Sequence, residues 1–402
     1  MNAGIAALHA VASKEARIIV GLMSGTSLDG LDVALCRVAG SGTDTEVSLL
    51  EFKTIPYDDA VKSQIRQVFA RTTVDLMHLT LLNRWIGRLH ATMIKGCLAQ
   101  WEVSPDEVDA VASHGQTVMH APEFFHGQPM FGNATLQIGD GDHLAVETGI
   151  ITLSDFRQKH IAAGGQGAPL AVYGDYLIFA DPVENRILLN MGGIANFTYL
   201  PAAAGADAVF VTDTGPGNTL LDAYVRATYP GLGFDRDAGI ALRGTADAAL
   251  LSALKTSPFF REPLPRTIGP ELFNLDFIRT CQTETGTQGL AAPDVLATLT
   301  RFSAETIADT LLECLAARGA KAQDFRVYAS GGGCHNPLLM RLIGERLPCP
   351  IGLTDELGVP GDAKEAVLFA VLANETLAGA GCAFGDRQGV PSISLGKISL
   401  PA

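Results

Sequence analysis

The feature that most constrains this chain is one order of apolar runs and glycine turns that occurs twice. An apolar run, Arg17–Met23, breaks into Ser24–Gly25–Thr26–Ser27–Leu28–Asp29–Gly30, and strand-like runs follow at Asp32–Val38 and Val47–Ile55. Helical periodicity fills about 58–100, and Asp109–Ser113 returns to strand before Gly115. Near 150 the order restarts. Arg186–Met191 ends in Gly192–Gly193, and Asn196–Leu200 and Ala208–Thr212 again read as strands. Helical stretches at about 218–228, 244–256 and 294–318 lead to strand Phe325–Ser330, then Gly331–Gly333 and helices near 336–347 and 363–378. Identity between the halves is negligible, so only the pattern repeats. Two α/β lobes facing a cleft satisfy it, and one large doubly wound sheet is the alternative.

Composition narrows the classes. The 43 glycines among 402 residues are about 11%, against roughly 7% on average, and they gather at the turns. With 47% apolar residues the chain buries a large core, which excludes global disorder. A formal charge of −14 argues against nucleic acid or an anionic membrane surface as a partner. Seven cysteines with no C-x-x-C spacing point to reduced thiols in a cytoplasmic protein, away from disulfides or structural zinc. Residues 1–16 lack the basic and apolar regions of a signal peptide and read as a flexible, frayed extension. No run approaches a membrane span.

The turns carry the chemistry. Gly25–Gly30 has P-loop glycine spacing, but Leu31 stands where lysine is needed and a strand follows, so the P-loop reading fails. A tight hairpin remains, whose backbone amides and Thr26 and Ser27 hydroxyls can wrap phosphate oxygens. Asp29 and Asp32 are candidates to hold Mg²⁺ through waters; the plainer alternative is an ordinary turn with Asp as a turn residue. Asn190–Asn196 repeats the arrangement. Asp213, in Thr212–Asn218, is expected at a strand end, where a carboxylate can act as general base. No G-x-G-x-x-G occurs at any of these turns, so a dinucleotide site has little support. Three such turns in two matching halves point to a bound nucleotide.

The segments GLMSGTSLDGLD (21–32), SHGQT (113–117), LQIGDG (136–141), DFR…AAGGQGAPL (155–170), NMGGIAN (190–196), DTGPGN (213–218), SGGGCHNPLLM (330–340) and DELG…AKEA (355–366) resemble the anhydro-N-acetylmuramic acid kinases, in order along nearly the whole chain. The resemblance implies the actin-like ATPase and sugar-kinase fold, with two ribonuclease-H-like lobes around a central cleft. It implies a 1–16 extension, an N-terminal lobe of 17–152 plus about 385–402, and a C-terminal lobe of 153–384. It implies ATP with Mg²⁺, a small amino-sugar substrate and a homodimer. The reaction it implies opens the 1,6-anhydro bridge with water and phosphorylates O6, giving N-acetylmuramic acid 6-phosphate in cell-wall recycling.

Carried over residue by residue, the resemblance makes Asp213 the base and Glu365 a second carboxylate near the sugar. For Glu365 the plainer reading is a solvated pair with Lys364. Gly25, Thr26, Ser27, Leu28, Asp29, Gly30, Leu31 and Asp32 match the family's ATP-phosphate loop. Gly192, Gly193 and Asn196 belong to the second phosphate turn, and Gly331, Gly332 and Gly333 to the adenosine turn. His114, Gln116, Arg157, Gly165, Gln166 and Asn274 are candidates to contact the sugar. Two departures stand near them: the stretch Gln158–Lys159–His160, where the family usually has an Asp four or five residues after DFR, and Arg266–Thr267–Ile268–Gly269–Pro270–Glu271 where it carries K-S-T-G-R-E. These bear on which anhydro sugar is taken. The competing readings are a levoglucosan-type kinase and, from another class, a catalytically silent nucleotide-binding regulator on the same fold.

Overall fold

A computed structural model describes residues 2–268, 272–379, 383–384 and 389–401. Gly269–Glu271, Cys382 and the start of the expected 385–402 segment lie outside the described residues. The chain divides into two compact units: residues 1–180, 205–207 and 358–402, and residues 181–204 and 208–357.

The strands are β1 Ala16–Ser24, β2 Gly30–Ala39, β3 Glu46–Pro56, β4 Ala110–Ala121, β5 Ala134–Ile138 and β6 Thr152–Ser154 in the first unit. β7 Asn185–Met191, β8 Ile194–Leu200, β9 Phe210–Pro216, β10 Phe325–Ser330 and β11 Ile351–Leu353 belong to the second, and β12 Lys397–Ser399 returns to the first. The first sheet runs β12-β6-β4-β1-β2-β3, with β5 also on β4; the second runs β11-β10-β7-β8-β9. In each, a three-stranded antiparallel meander (β1–β3, β7–β9) pairs its first strand in parallel with a later one, β4 or β10. A further parallel strand, β6 or β11, follows outward. This is the ribonuclease-H-like order, built twice.

Local chemistry explains the layers. The helix Leu76–Gln100 starts where the Asp75 carboxylate accepts from the Met77 and His78 amides. Its buried Leu82, Ile86, His90, Ile94 and Cys97 recur at near-helical spacing, so one face meets Val20, Leu22 and Val111 of the sheet. The helix Lys364–Ala378 is buried continuously from Ala366 to Glu375 and lies against β1. Gly21 makes that approach possible, because a Cβ there would stand 2.0 Å from the Ala366 carbonyl oxygen. In the second unit the helix Ala292–Ala317 joins two apolar clusters. Its first half (Val295, Leu296, Leu299, Phe302) packs in one, and its second half (Ile307, Leu311, Leu315) in the other.

Several expectations need correction. The units divide at 180/181 and 357/358, where the sequence reading puts lobe boundaries at 152/153 and 384/385. The physical reasons are β6 pairing with β4, and the close fit of the helix Ala171–Phe179 to the helix Lys364–Ala378 at Gly174 and Leu368. Residues 3–12, expected to fray, form a helix. Buried Arg17 holds its end, donating to the carbonyls of Val11, Ala12 and Lys14 and to Asn374 Oδ1. β9 extends through Asp213 to Pro216, so Asp213 lies inside a strand and not at its end.

The Gly21 contact yields a stability prediction. Gly21→Ala must force the helix Lys364–Ala378 off the sheet, at a cost of about 1–3 kcal/mol. Urea unfolding followed by circular dichroism should show a lower midpoint with unchanged slope; an unmoved midpoint would mean the helix relaxes freely.

Candidate active site

The β1–β2 turn leaves Thr26, Ser27 and Asp29 exposed at the carboxyl end of β1. Asp29 Oδ1 accepts from the Ser27 hydroxyl (2.7 Å) and from the Gly30 amide (3.1 Å). Leu28 adopts φ +58°, a left-handed conformation costly for a leucine, and drives its side chain into the core. Leu31 is buried beneath the loop, which explains how an apolar residue occupies the P-loop lysine position. Asp32 accepts from the Thr54 hydroxyl at 2.6 Å. Its pKa is raised by burial, with Asp29 and Asp362 adding like charge. Uncompensated carboxylate oxygens of this kind suit a hard divalent ion that keeps waters and phosphate among its ligands. No group of three or more His, Cys, Asp or Glu side chains forms a metal cage among the described residues.

Elsewhere in the first unit, Arg157 organises a buried cluster. Its Nε donates to His114 Nε2 (2.8 Å), and its Nη1 donates to the Gly167 carbonyl (2.8 Å). His114 must therefore carry its hydrogen on Nδ1. Burial, with Arg157 nearby, lowers its pKa to about 3, so it stays neutral. Its ring packs on Phe369 with centroids 4.9 Å apart. His114 thus holds Arg157 in place. Glu365 lies in the field of the same arginine: desolvation raises its pKa, while Arg157 and Lys364 oppose the rise. Its surface stays open to solvent although protein crowds around it. Lys364 does not form the expected solvated pair with Glu365; it bonds buried Asp175 at 2.9 Å.

His160, in the first departure, proves to be part of this support. It is buried, and its Nδ1 accepts the Gly167 amide hydrogen at 2.9 Å. Gly165 makes room for the ring, since a Cβ would stand 2.3 Å from it. Burial lowers the His160 pKa to about 4, which keeps Nδ1 an acceptor. Gly167 in turn holds Arg157. Gln166 is exposed on the same turn.

In the second unit, glycines let three turns meet. The Gly193 carbonyl accepts the Gly217 amide at 2.8 Å, and the Gly192 carbonyl accepts the Asn218 amide at 2.9 Å. A Cβ at Gly217 would lie 2.3 Å from Gly192 O, and one at Gly333 2.6 Å from Met191 Cβ. Gly331 has φ +83°, with a Cβ position 2.7 Å from Asn190 Oδ1, while Gly332 is exposed. Asn196 sits in β8 opposite Asp213. Asp213 Oδ2 accepts the Ile268 amide at 2.8 Å, and its backbone N–H donates to the Arg266 carbonyl. Burial lifts the Asp213 carboxyl to about 6, with the Ile268 bond opposing. The second departure has a structural reading here. Arg266 is buried over Phe259 at 4.9 Å, bonds Thr310 and the carbonyls of Phe260 and Glu262, and anchors the segment that braces Asp213.

Two sugar candidates make structural bonds. Gln116 is fully buried, with its amide committed to Ser24, Gly25 and Thr117. Asn274 caps the helix Leu275–Thr285 through the Phe277 amide. Sequence reasoning missed Asp175, Tyr57 and the Ile268 amide, because each acts through tertiary contacts and none stands in a glycine turn.

Comparison with known proteins bears on the family. The family model "Anhydro-N-acetylmuramic acid kinase" matches residues 17–399. A protein of that name from Pseudoalteromonas atlantica is 55% identical over 404 residues, covering 100% of both chains. Namesakes from Caldanaerobacter subterraneus and Bacillus cereus are 37% and 34% identical, each over 96% of this chain and 98% and 99% of their own. With the family model matching residues 17–399 and a relative 55% identical over the full length, the chain belongs to the anhydro-N-acetylmuramic acid kinase family.

Proposed function

We propose that this kinase opens the 1,6-anhydro ring of 1,6-anhydro-N-acetylmuramic acid with water and transfers the γ-phosphoryl group of ATP to O6. The products are N-acetylmuramic acid 6-phosphate and ADP. Water adds to the anomeric carbon as the C1–O6 bond breaks, O6 bonds to the γ-phosphorus, and the water's proton passes to a base. The observation that carries this reading is Asp213: a carboxylate held by the Ile268 amide and lifted by burial to about 6, near the working pH, as a general base requires.

The other groups bind and orient. Backbone amides of Gly25–Gly30, with the Thr26 and Ser27 hydroxyls, suit phosphate oxygens, and Gly192–Gly193 and Gly331–Gly333 leave room for the rest of a nucleotide. Arg157, braced by His114 and Gly167, offers a cation for the sugar's lactyl carboxylate, with Glu365 beside it to accept from hydroxyls. Mg²⁺, when bound, supplies charge neutralisation for the transferring phosphoryl group, and Asp29 and Asp32 would hold it through waters. No described helix is long and apolar enough to cross a membrane. We place the enzyme in the cytoplasm, where the six free cysteines among the described residues would stay reduced, and as the homodimer that the family resemblance implies.

Mass analysis after incubation with ATP and the anhydro-muramic sugar should show a product heavier by water plus a phosphoryl group. A larger kcat/KM for levoglucosan than for that sugar would replace the substrate. Asp213→Asn should lower turnover roughly a hundredfold or more while ATP still binds; unchanged turnover would remove Asp213 as the base. The pH profile follows from the raised carboxyl. Only ionised Asp213 accepts a proton, so log kcat/KM should rise with unit slope up to about pH 6 and level off above it. A profile flat through pH 5 would contradict the assignment.

A further inference from the structure

Beneath the β1–β2 turn lies a buried chain of polar side chains that the chemistry above does not use. Ser24 Oγ stands 2.6 Å from Gln116 Oε1 and 2.9 Å from the Tyr57 hydroxyl, which stands 2.7 Å from His90 Nε2. All four residues are at most 2% exposed. At its other end, Gln116 Nε2 donates to the carbonyls of Gly25 and Thr117, each at 3.2 Å.

The hydrogens can be assigned by counting. Gln116 must turn its NH₂ toward the two carbonyls, because the flipped amide would set oxygen against oxygen. Its Oε1 then only accepts, so the single Ser24 hydrogen goes there, with the 3.3 Å approach to the Gly30 carbonyl a secondary share. Ser24 Oγ therefore accepts from Tyr57, and the Tyr57 oxygen accepts from His90 Nε2–H. Every hydrogen runs one way, from His90 to the Gly25 carbonyl. Burial lowers the His90 pKa to about 4, so the ring is neutral and its unpartnered Nδ1 is a bare acceptor.

This chain grips the start of the turn, beside Leu28 packed in the core and the Asp29 bonds within the loop. Gly25 opens the loop, and the Tyr57 amide donates to the Asp29 carbonyl at 2.9 Å near its close. Between those points Thr26 and Ser27 are exposed, and Leu28 holds a left-handed conformation that needs outside support. We infer that His90, Tyr57, Ser24 and Gln116 are positioning residues that hold the Gly25–Gly30 turn in its phosphate-receiving shape. The inference rests on the phosphate-loop reading proposed above. It gives Gln116 a place behind the nucleotide loop instead of beside the sugar.

The test compares steady-state constants for both substrates with melting temperatures. Tyr57→Phe removes one oxygen from a ring that stays packed, and Ser24→Ala removes the central hydroxyl. Each should raise KM for ATP roughly fivefold, the effect of one lost buried hydrogen bond, with kcat and KM for the sugar within about twofold. Gln116→Glu leaves at most one hydrogen for the Gly25 and Thr117 carbonyls and should raise KM for ATP further, by more than about tenfold. A fall in melting temperature without a change in KM for ATP in Tyr57→Phe and Ser24→Ala would reduce the chain to a structural role and overturn the inference. Gly25→Val separates the two levels. If it leaves KM for ATP unchanged, the phosphate-loop reading falls; if it raises KM while Tyr57→Phe does not, only the positioning inference falls.

Discussion

Backbone pressed on backbone is the constraint on which both units depend. In the first, Gly21 lets the helix Lys364–Ala378 settle with the Ala366 carbonyl where a Cβ would have to go. In the second, Gly217 does the same against the Gly192 carbonyl. Neither approach tolerates even a methyl group without displacement of main chain, which is stiffer than a side chain. Each contact also lies beside a carboxylate: Glu365 immediately precedes Ala366, and Gly217 lies in the turn that follows Asp213. The glycine excess thus reflects close packing at least as much as ligand approach.

Around these contacts the charged groups are supported by neutral ones. Arg157 is held by the lone pair of a neutral histidine and by a carbonyl, with the Glu365 carboxylate acting on it through its field. His160 and His90 are likewise kept neutral by burial and act through hydrogen bonds. Asp213 shows the opposite use of burial, which lifts a carboxylate toward neutrality while a single amide keeps it oriented. Burial removes charge from residues that position and tunes it on the residue offered for proton transfer.

The legible parts of the sequence were those written in local period and turn chemistry. β10 was read to the residue, and β1, β2, β3 and β7 within two residues at each end, because their apolar runs stop at glycine or polar turns. The short strands β5, β6, β11 and β12 left no periodic signal; their pairing partners define them. The helix Lys364–Ala378 was visible, but its unit was not, since an all-round apolar helix carries no direction. Similarly, His160 and Arg266 looked like changes at the sugar site. The structure gives both a buried role, one as an acceptor for Gly167 and the other as an anchor beside Asp213.

By itself, the sequence determined the repeated strand order, the glycine turns, the family, and the residue types available for phosphate and proton chemistry. Tertiary structure alone decided which of those residues face outward and which brace others. Gln116 and His114, sugar candidates by sequence, are hydrogen-bonded to Ser24, Gly25 and Arg157, and Tyr57 and His90 entered with no motif to announce them. The reason is physical: a side chain's role depends on where its hydrogen-bond partners lie, and here those partners are tens of residues away along the chain.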